Sequence, residues 1–362
     1  MRILYGVVGE GMGHATRSRV VIDHLLACGH ELEVVVSGRA ATLYQELYGE
    51  RPGIHVRDIH GLTLAYSGNR MSLRRSIGKN LLELPGGVVR NVAEYFGLRG
   101  SGFRPELVIS DFDSWSWLYG MRHELPVISI DNMQALDRCE LGLELPRASR
   151  HDFQLAKAAV KAKLPGCRHY IITGFHRPTI RKPRTTLVPP VLRPEVLAAK
   201  REPGEHVLVY QTQQTNDALL SVLRRLPVEF RIYGLGRDET DGSLSFRPFS
   251  QQGFIDDLRT AKAVVAGGGF SLMSEAVHLR VPMLSAPIEG QFEQEYNART
   301  LEALGYGRYT PTLTGAAVES FLAGLPAHER ALESYRPADN SQLLESVDAL
   351  IARHTRRRSR AA

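Results

Sequence analysis

The chain has 362 residues, 43% hydrophobic and 23% charged, with a net charge of +6. That length calls for two cores rather than one, and the composition is that of a globular protein, not a disordered or fibrous one. No apolar run nears the ~20 residues that cross a bilayer, and no charged leader precedes the first apolar run, which points to a cytoplasmic protein. Cys28, Cys139 and Cys167 share no metal-site spacing and no disulfide framework.

The first half alternates short apolar runs with helical stretches. The runs are ILYGVV (3–8), LEVVVS (32–37), HVRDI (55–59), ELVISD (106–111), PVISID (126–131) and HYIIT (169–173). They are continuous rather than alternating, as in strands buried on both faces. Between the first two, Val21, Leu25 and Cys28 keep helical spacing and Gly29 stands at the C-cap position. Residues 60–100 read as the least regular part, basic at Arg70, Arg74, Arg75 and Lys79. They suit either a lid or contact with an anionic or lipid-linked molecule.

The Pro- and charge-rich stretch 188–205 reads as a linker. Alternation restarts beyond it. Strands are expected at 206–210, 229–235, 244–249, 263–268 and 282–287, with helices over 215–226, 271–280, 291–304 and from 254. The fold class is therefore α/β, with two doubly wound, Rossmann-like domains in tandem and a site in the cleft at the strands' carboxyl ends. A last helix is expected over 341–354, followed by an arginine-rich tail. The tail reads as a solvated terminus or as contact with an anionic surface; no aromatic-interleaved basic patch points to nucleic acid.

The loop GEGMGHATRSR (9–19) follows the first strand. Its glycines allow a tight turn and close approach of a ligand. G-x-G-x-G-H departs from the dinucleotide fingerprint, and the acid a ribose would need is offered only by Glu31 or Glu33, at the wrong end of the second strand. His14 opens a helix, whose positive end favours the neutral imidazole, so it fits a general base; a capping or phosphate-binding role also fits. Arg17 either holds an anion or faces solvent. Asp111, at the end of a strand, suits the partner that orients such a base, or a cap for the next helix. Trp115 and Trp117 fit the core or a cleft wall.

In the second half, GGGFSLMSEA presents Gly267, Gly268 and Gly269 before a helix opened by Phe270 and Ser271. Free N–H groups there suit a diphosphate, and the Lys-Ser/Thr of an NTP-hydrolysing loop is missing. Glu275, one turn on, can accept both hydroxyls of a ribose or complement the helix dipole. Glu289, Gln291, Glu293, Gln294 and Asn297 follow Pro287 and suit sugar hydroxyls or a solvated helix start.

Together these stretches resemble glycosyltransferases of the GT-B fold. They are similar to the peptidoglycan N-acetylglucosaminyltransferase and the UDP-glycosyltransferases, most strongly over 247–305. The resemblance implies an acceptor-side domain at 1–190, a donor-binding domain at 191–340, a helix at 341–354 packing back on the first domain, and a tail at 355–362. It implies that His14 is the base and Asp111 its orienter. Gly268, Gly269, Phe270 and Ser271 would hold the donor diphosphate, Glu275 the ribose, Glu293 and Gln294 the donor sugar, and the backbone of Ile255 the nucleobase. Gly11, Gly13 and Arg17 would line the acceptor or a phosphate. It implies an inverting, metal-independent transfer with no cofactor, from a nucleotide-diphosphate sugar, UDP foremost, to an acceptor hydroxyl. The acceptor stays open: the basic stretch within 60–100 suits a lipid-linked molecule or an anionic glycan with a peripheral membrane contact, and equally a lid over a soluble acceptor. Three departures stand out: Glu293 replaces the usual Asp or Gln, QTQQTND (211–217) replaces a Gly-rich loop, and Glu10 and Met12 stand among the glycines of the first loop, on the acceptor side. The competing readings are a UDP-sugar 2-epimerase and a non-catalytic nucleotide-sugar binder.

Overall fold

The computed structural model describes residues 1–9, 12–61, 66–67, 70–71, 73–211 and 217–361, with backbone alone for those of 66–77, for 79–81, 217–218 and 357–361. The N-terminal half opens with β1 (Arg2–Val7), α1 (Met12–Ala27), β2 (Glu31–Ser37), α2 (Arg39–Tyr48) and β3 (Ile54–Ile59). A small hairpin, β4 (Tyr66–Ser67) and β5 (Arg70–Met71), precedes α3 (Leu73–Gly100). Then come β6 (Leu107–Asp111), α4 (Ser114–Arg122), β7 (Val127–Asp131), α5 (Ala135–Arg138), α6 (Arg147–Lys163), β8 (His169–Thr173) and β9 (Thr185–Val188).

The seven-stranded sheet has the order β3-β2-β1-β6-β7-β8-β9, all parallel. β1, β2, β6 and β7 are buried along nearly their whole length, which accounts for their continuous apolar sequences. The chain reverses direction across the sheet between β1 and β6. Loops after those two strands diverge there and leave a crevice at their carboxyl ends.

The second half contains α7 (Pro194–Ala198), β10 (Val207–Tyr210), α8 (Asp217–Leu223), β11 (Phe230–Tyr233), β12 (Glu239–Asp241), β13 (Leu244–Arg247) and α9 (Gln251–Thr260). It continues with β14 (Ala263–Ala266), α10 (Phe270–His278), β15 (Met283–Ser285), α11 (Phe292–Ala303), β16 (Gly307–Tyr309), α12 (Gly315–Ala323), α13 (Leu325–Glu333) and α14 (Ser341–Ala361). Its sheet runs β12-β13-β11-β10-β14-β15-β16, with only β12 antiparallel. Its own reversal lies between β10 and β14, the strand that leads into the triple glycine. The structure is thus two doubly wound domains.

α14 buries Leu343, Val347 and Ile351 in the N-terminal core beside Val21, Ile22 and Leu25 of α1. It continues to Ala361, so the backbone of most of the arginine-rich tail is helical.

One expectation is corrected. Of the stretch 60–100 expected to be irregular, 62–65, 68–69 and 72 lie outside the described residues, and 73–100 is regular: α3 fills it and carries Pro85 inside it. Gly78, Gly86, Gly87 and Pro85 read as helix breakers. Tertiary contacts override them. A side chain at Gly87 would meet the His60 ring at 2.2 Å, so glycine lets the helix approach β3's end closely. Asn91 then brackets His60, accepting from its N–H at 2.8 Å and donating to its carbonyl at 3.0 Å.

Candidate active site

α1 starts directly after β1, and Asp111 is the last residue of the adjacent strand β6. The reversal point of the sheet therefore brings His14 and Asp111 together. His14 Nδ1 lies 2.8 Å from Asp111 Oδ1. Asp111 is buried, while His14 keeps about a sixth of its side chain exposed to the crevice. Arg17 Nη2 also comes within 2.7 Å of the same Nδ1. Both contacts cannot be hydrogen bonds to one lone pair. The carboxylate only accepts, so we assign the proton to Nδ1, donating to Asp111; Arg17 then serves Asp111 as well. Nε2 is left with its lone pair.

Arg17 is buried rather than available to an anion or to solvent, which corrects both expectations for it. Its Nε donates to Asp111 Oδ2 at 2.8 Å, its Nη2 pairs with Oδ1, and its Nη1 donates to Asn132 Oδ1 at 2.7 Å. Ser18 Oγ donates to Asp111 Oδ2 at 2.7 Å. Burial alone pushes the Asp111 carboxyl up, but Arg17 and His14 more than offset it and hold the group well below the usual carboxylate range. The anion is thus fixed in place.

Asp113 has the other role weighed for this segment. It is the N-cap of α4 and accepts from the Ser116 N–H at 2.7 Å. Between them Phe112 takes the left-handed region at φ 55°, which turns the two carboxylates apart. Asp111 faces His14 and Asp113 faces its own helix, so the D-x-D triplet does not present a paired metal site. Trp115 and Trp117 are partly buried, each with its indole N–H on a backbone carbonyl, of Asn91 and Pro165 respectively. Among the described residues, one group of three metal-capable side chains lies close together: His24, Cys28 and Asp348, where α1 meets α14, at the far end of α1 from His14. Gly11 lies outside the described residues.

In the second domain, Gly269 is the N-cap of α10 and Phe270 and Ser271 form its first turn. The Gly268 N–H is already engaged by Gln294 Oε1 at 3.1 Å, which also accepts from the Ile288 N–H at 3.1 Å. Gln294 also donates to Gln291, and Asn297 Nδ2 donates to the Gly268 carbonyl at 3.0 Å. The carboxamides of α11 thus shape the glycine loop from behind. Gln294 faces that loop rather than open cleft.

Glu275 is buried and held by Arg193, whose Nε and Nη2 donate to its two oxygens at 2.8 Å each. Burial raises the Glu275 carboxyl pKa; Arg193 opposes that. A carboxylate has about four lone-pair positions and the guanidinium takes two, so two remain for hydroxyls. Arg193 sits in the stretch read as a linker and had no role assigned. The Ile255 side chain is in the C-terminal core, leaving its backbone as the part a base could meet.

The domains touch at this site. Asn132 Nδ2 donates to Glu293 Oε1 at 2.7 Å, so Arg17, Asn132 and Glu293 form a connected path from one domain to the other. A side chain on Gly13 would come within 2.4 Å of Ser271 Oγ. Ser149 donates to Glu295 at 2.6 Å and His176 meets the Tyr296 hydroxyl at 2.9 Å. Asn132 was missed because the polar pair after ISI has no motif spacing; a polar residue just past a buried strand was the available signal.

A profile of glycosyl transferase family 1 matches residues 1–326. The chain belongs to that family. An uncharacterized glycosyltransferase of Methanosarcina mazei is 25% identical over 352 residues, with 85% of each chain covered. Among solved structures, the kitacinnamycin glycotransferase superposes with a TM-score of 0.68 at 17% identity, covering 98% of both chains. LpCGTa, solved in complex with UDP, gives 0.64 at 15% identity, covering 98% of this chain and 99% of that one. The two-domain fold is that of GT-B glycosyltransferases, and the family to which the chain belongs is one of sugar transfer. No described helix is long and apolar enough to cross a membrane.

Proposed function

We propose that this glycosyltransferase moves a sugar from a UDP-sugar to an acceptor hydroxyl with inversion, without a metal or cofactor, using His14 as the general base. The observation that carries this reading is the 2.8 Å contact between His14 Nδ1 and buried Asp111. With Nδ1–H so held, Nε2 takes the acceptor's hydroxyl proton. The acceptor oxygen bonds to the anomeric carbon from the face opposite the diphosphate. The bond from that carbon to the diphosphate oxygen breaks, and UDP leaves with the electron pair. Backbone N–H groups in the first turn of α10, beyond the engaged Gly268, receive that charge in this reading, which therefore needs no metal. Glu275 meets the ribose, and Glu293, across the seam from Asn132, meets the donor sugar. The acceptor is a lipid-linked molecule or an anionic glycan met at a membrane surface.

His14→Ala should lower kcat by at least ~10² while donor affinity, read by calorimetry, stays within about twofold. Activity surviving within a few-fold would remove His14 as the base. Calorimetry with UDP, dTDP and GDP on the unmodified chain tests the nucleobase; a preference for dTDP or GDP would replace UDP in the reading.

A further inference from the structure

α14 is the last element of the chain and packs on α1, the first helix. Leu343, Val347 and Ile351 share a core with Val21, Ile22 and Leu25. That packing also fixes the polar residues beside them: Asp348 next to Val347, and His24 next to Leu25. Cys28 follows His24 by one turn, just past the end of α1.

These three side chains meet. His24 Nε2 lies 3.0 and 3.1 Å from the two Asp348 oxygens and 3.7 Å from Cys28 Sγ. One nitrogen, one oxygen and one sulfur thus fall within 4.8 Å of one another. Around a tetrahedral zinc ion, bond lengths of about 2.0–2.3 Å put a nitrogen and a sulfur about 3.6 Å apart, and a nitrogen and an oxygen about 3.4 Å apart. The His24–Cys28 separation fits as it stands. The His24–Asp348 separation is that of a hydrogen bond and has only a few tenths of an ångström to open.

The ligand chemistry selects the ion. Calcium and magnesium take oxygen ligands, whereas thiolate, imidazole and carboxylate together suit zinc. Among the described residues no lysine or arginine pairs with Asp348, whose partner is His24. Cys28 is exposed, unlike the buried Cys139 and Cys167. His24 is half-buried and Asp348 exposed, so an ion enters from solvent and water completes the fourth position. His30, two residues past Cys28, is turned to the N-terminal amine at 3.1 Å and stays outside the set. All three ligands stand on or against packed helices, so little order remains to be imposed when an ion binds.

We infer that His24, Cys28 and Asp348 bind a zinc ion that clasps α14 to α1. The Cys28 thiol releases its proton to solvent as the sulfur binds, and the imidazole binds in its neutral form. His14 precedes His24 by about 15 Å along α1, so the ion takes no part in the sugar transfer, and the clasp does not rest on that reading.

The test is calorimetric titration of the reduced full chain, freed of any affinity tag, with Zn²⁺. A parallel titration with Cd²⁺ reads the ultraviolet band of a metal–thiolate bond. One Zn²⁺ should bind per chain with micromolar or tighter Kd, and Cd²⁺ should give the band. At a Zn²⁺ concentration a hundred times Kd, the unfolding constant should fall about 100-fold, seen as a raised melting temperature. Cys28→Ala should lose the band and bind Zn²⁺ at least ~10-fold more weakly, the loss that an outer-shell change already causes. His24→Gln can still donate to Asp348, so it should keep the metal-free melting temperature near the parent's while binding Zn²⁺ as weakly. UDP affinity should stay unchanged in both variants. Each of three results would overturn the site: no zinc bound at micromolar concentration, a Cd²⁺ band kept by Cys28→Ala, or His24→Gln binding as the parent does. One ion shared between two chains, or binding that leaves the melting temperature where it was, would overturn the clasp.

Discussion

Arg17 shows how far a residue's chemistry can be read before its surroundings are known. At the start of a helix beside a crevice, a cation reads as an anion holder. The spacing that put it one turn after His14 also aims it inward, at the carboxylate His14 uses. His14 and Asp111 were legible because Asp111 ends a buried strand and His14 opens the helix that follows one, at the carboxyl edge where α/β sheets place their chemistry. Arg17's inward turn, Arg193's grip on Glu275 and Asn132's reach to Glu293 were not, since each joins positions between 82 and 161 residues apart. A buried ion pair broken from one side leaves an uncompensated charge. Arg17→Met should therefore destabilise the N-terminal domain by roughly 3–5 kcal/mol. Arg17→Met combined with Asp111→Asn should recover part of that, because the stranded charge is gone. Thermal or urea unfolding reads both; an Arg17→Met chain within about 1 kcal/mol of the parent would show that Ser18 and His14 suffice to hold Asp111.

At the scale of elements, long apolar runs and amphipathic helices were legible because burial on both faces leaves little choice of residue. α3 was not, because Pro and Gly weigh against a helix locally while its contacts with His60 and Arg57 favour one from a distance. β9 (TTLV), β12 (ETD) and β16 (GRY) went unread for a plainer reason: they carry little apolar sequence, whereas β10 and β14, also short, are apolar throughout or nearly so. The glycine loop allows a sharper test, since its neighbouring glycines differ. A methyl on Gly268 would come within 2.3 Å of the Gln294 carbonyl oxygen, whereas one on Gly269 would meet nothing within 4 Å. Gly268→Ala must push the loop off α11. It should cost roughly 1–3 kcal/mol and weaken donor binding about tenfold or more. Gly269→Ala, at the N-cap, should cost roughly 0.5–1 kcal/mol in stability, since alanine caps less well than glycine, and leave donor binding within a few-fold. Calorimetry of donor binding for the pair decides it; equal affinities would mean that α11 does not set the loop's shape.

For the whole molecule, the sequence located two domains and a crevice, but not that the crevice walls already touch. α11 carries three of those contacts, through Glu293, Glu295 and Tyr296. The last faces His176, whose imidazole is pushed down to about 4 by burial. A depressed histidine takes up its proton more readily once released from the fold. Its contribution to stability is complete above about pH 6.5 and is lost as pH falls from there to about 4. By pH 5 the loss should be about 2 kcal/mol. Asp111 acts in a lower window: its carboxyl is held below the usual range, so its contribution fades only under about pH 4. His206 and His278 are also depressed by burial and add to the upper window, so the slope of one protein says little about His176. The difference between two proteins does. His176→Gln keeps a hydrogen-bonding group for Tyr296 but cannot take up the proton. Its melting temperature should fall less than the parent's between pH 7 and 5, and the gap between them should close as the medium is acidified. Parallel curves would mean that the His176–Tyr296 contact opens before the domains melt, and that the seam is held by Asn132, Ser149 and the ring pair Phe153–Phe292 instead.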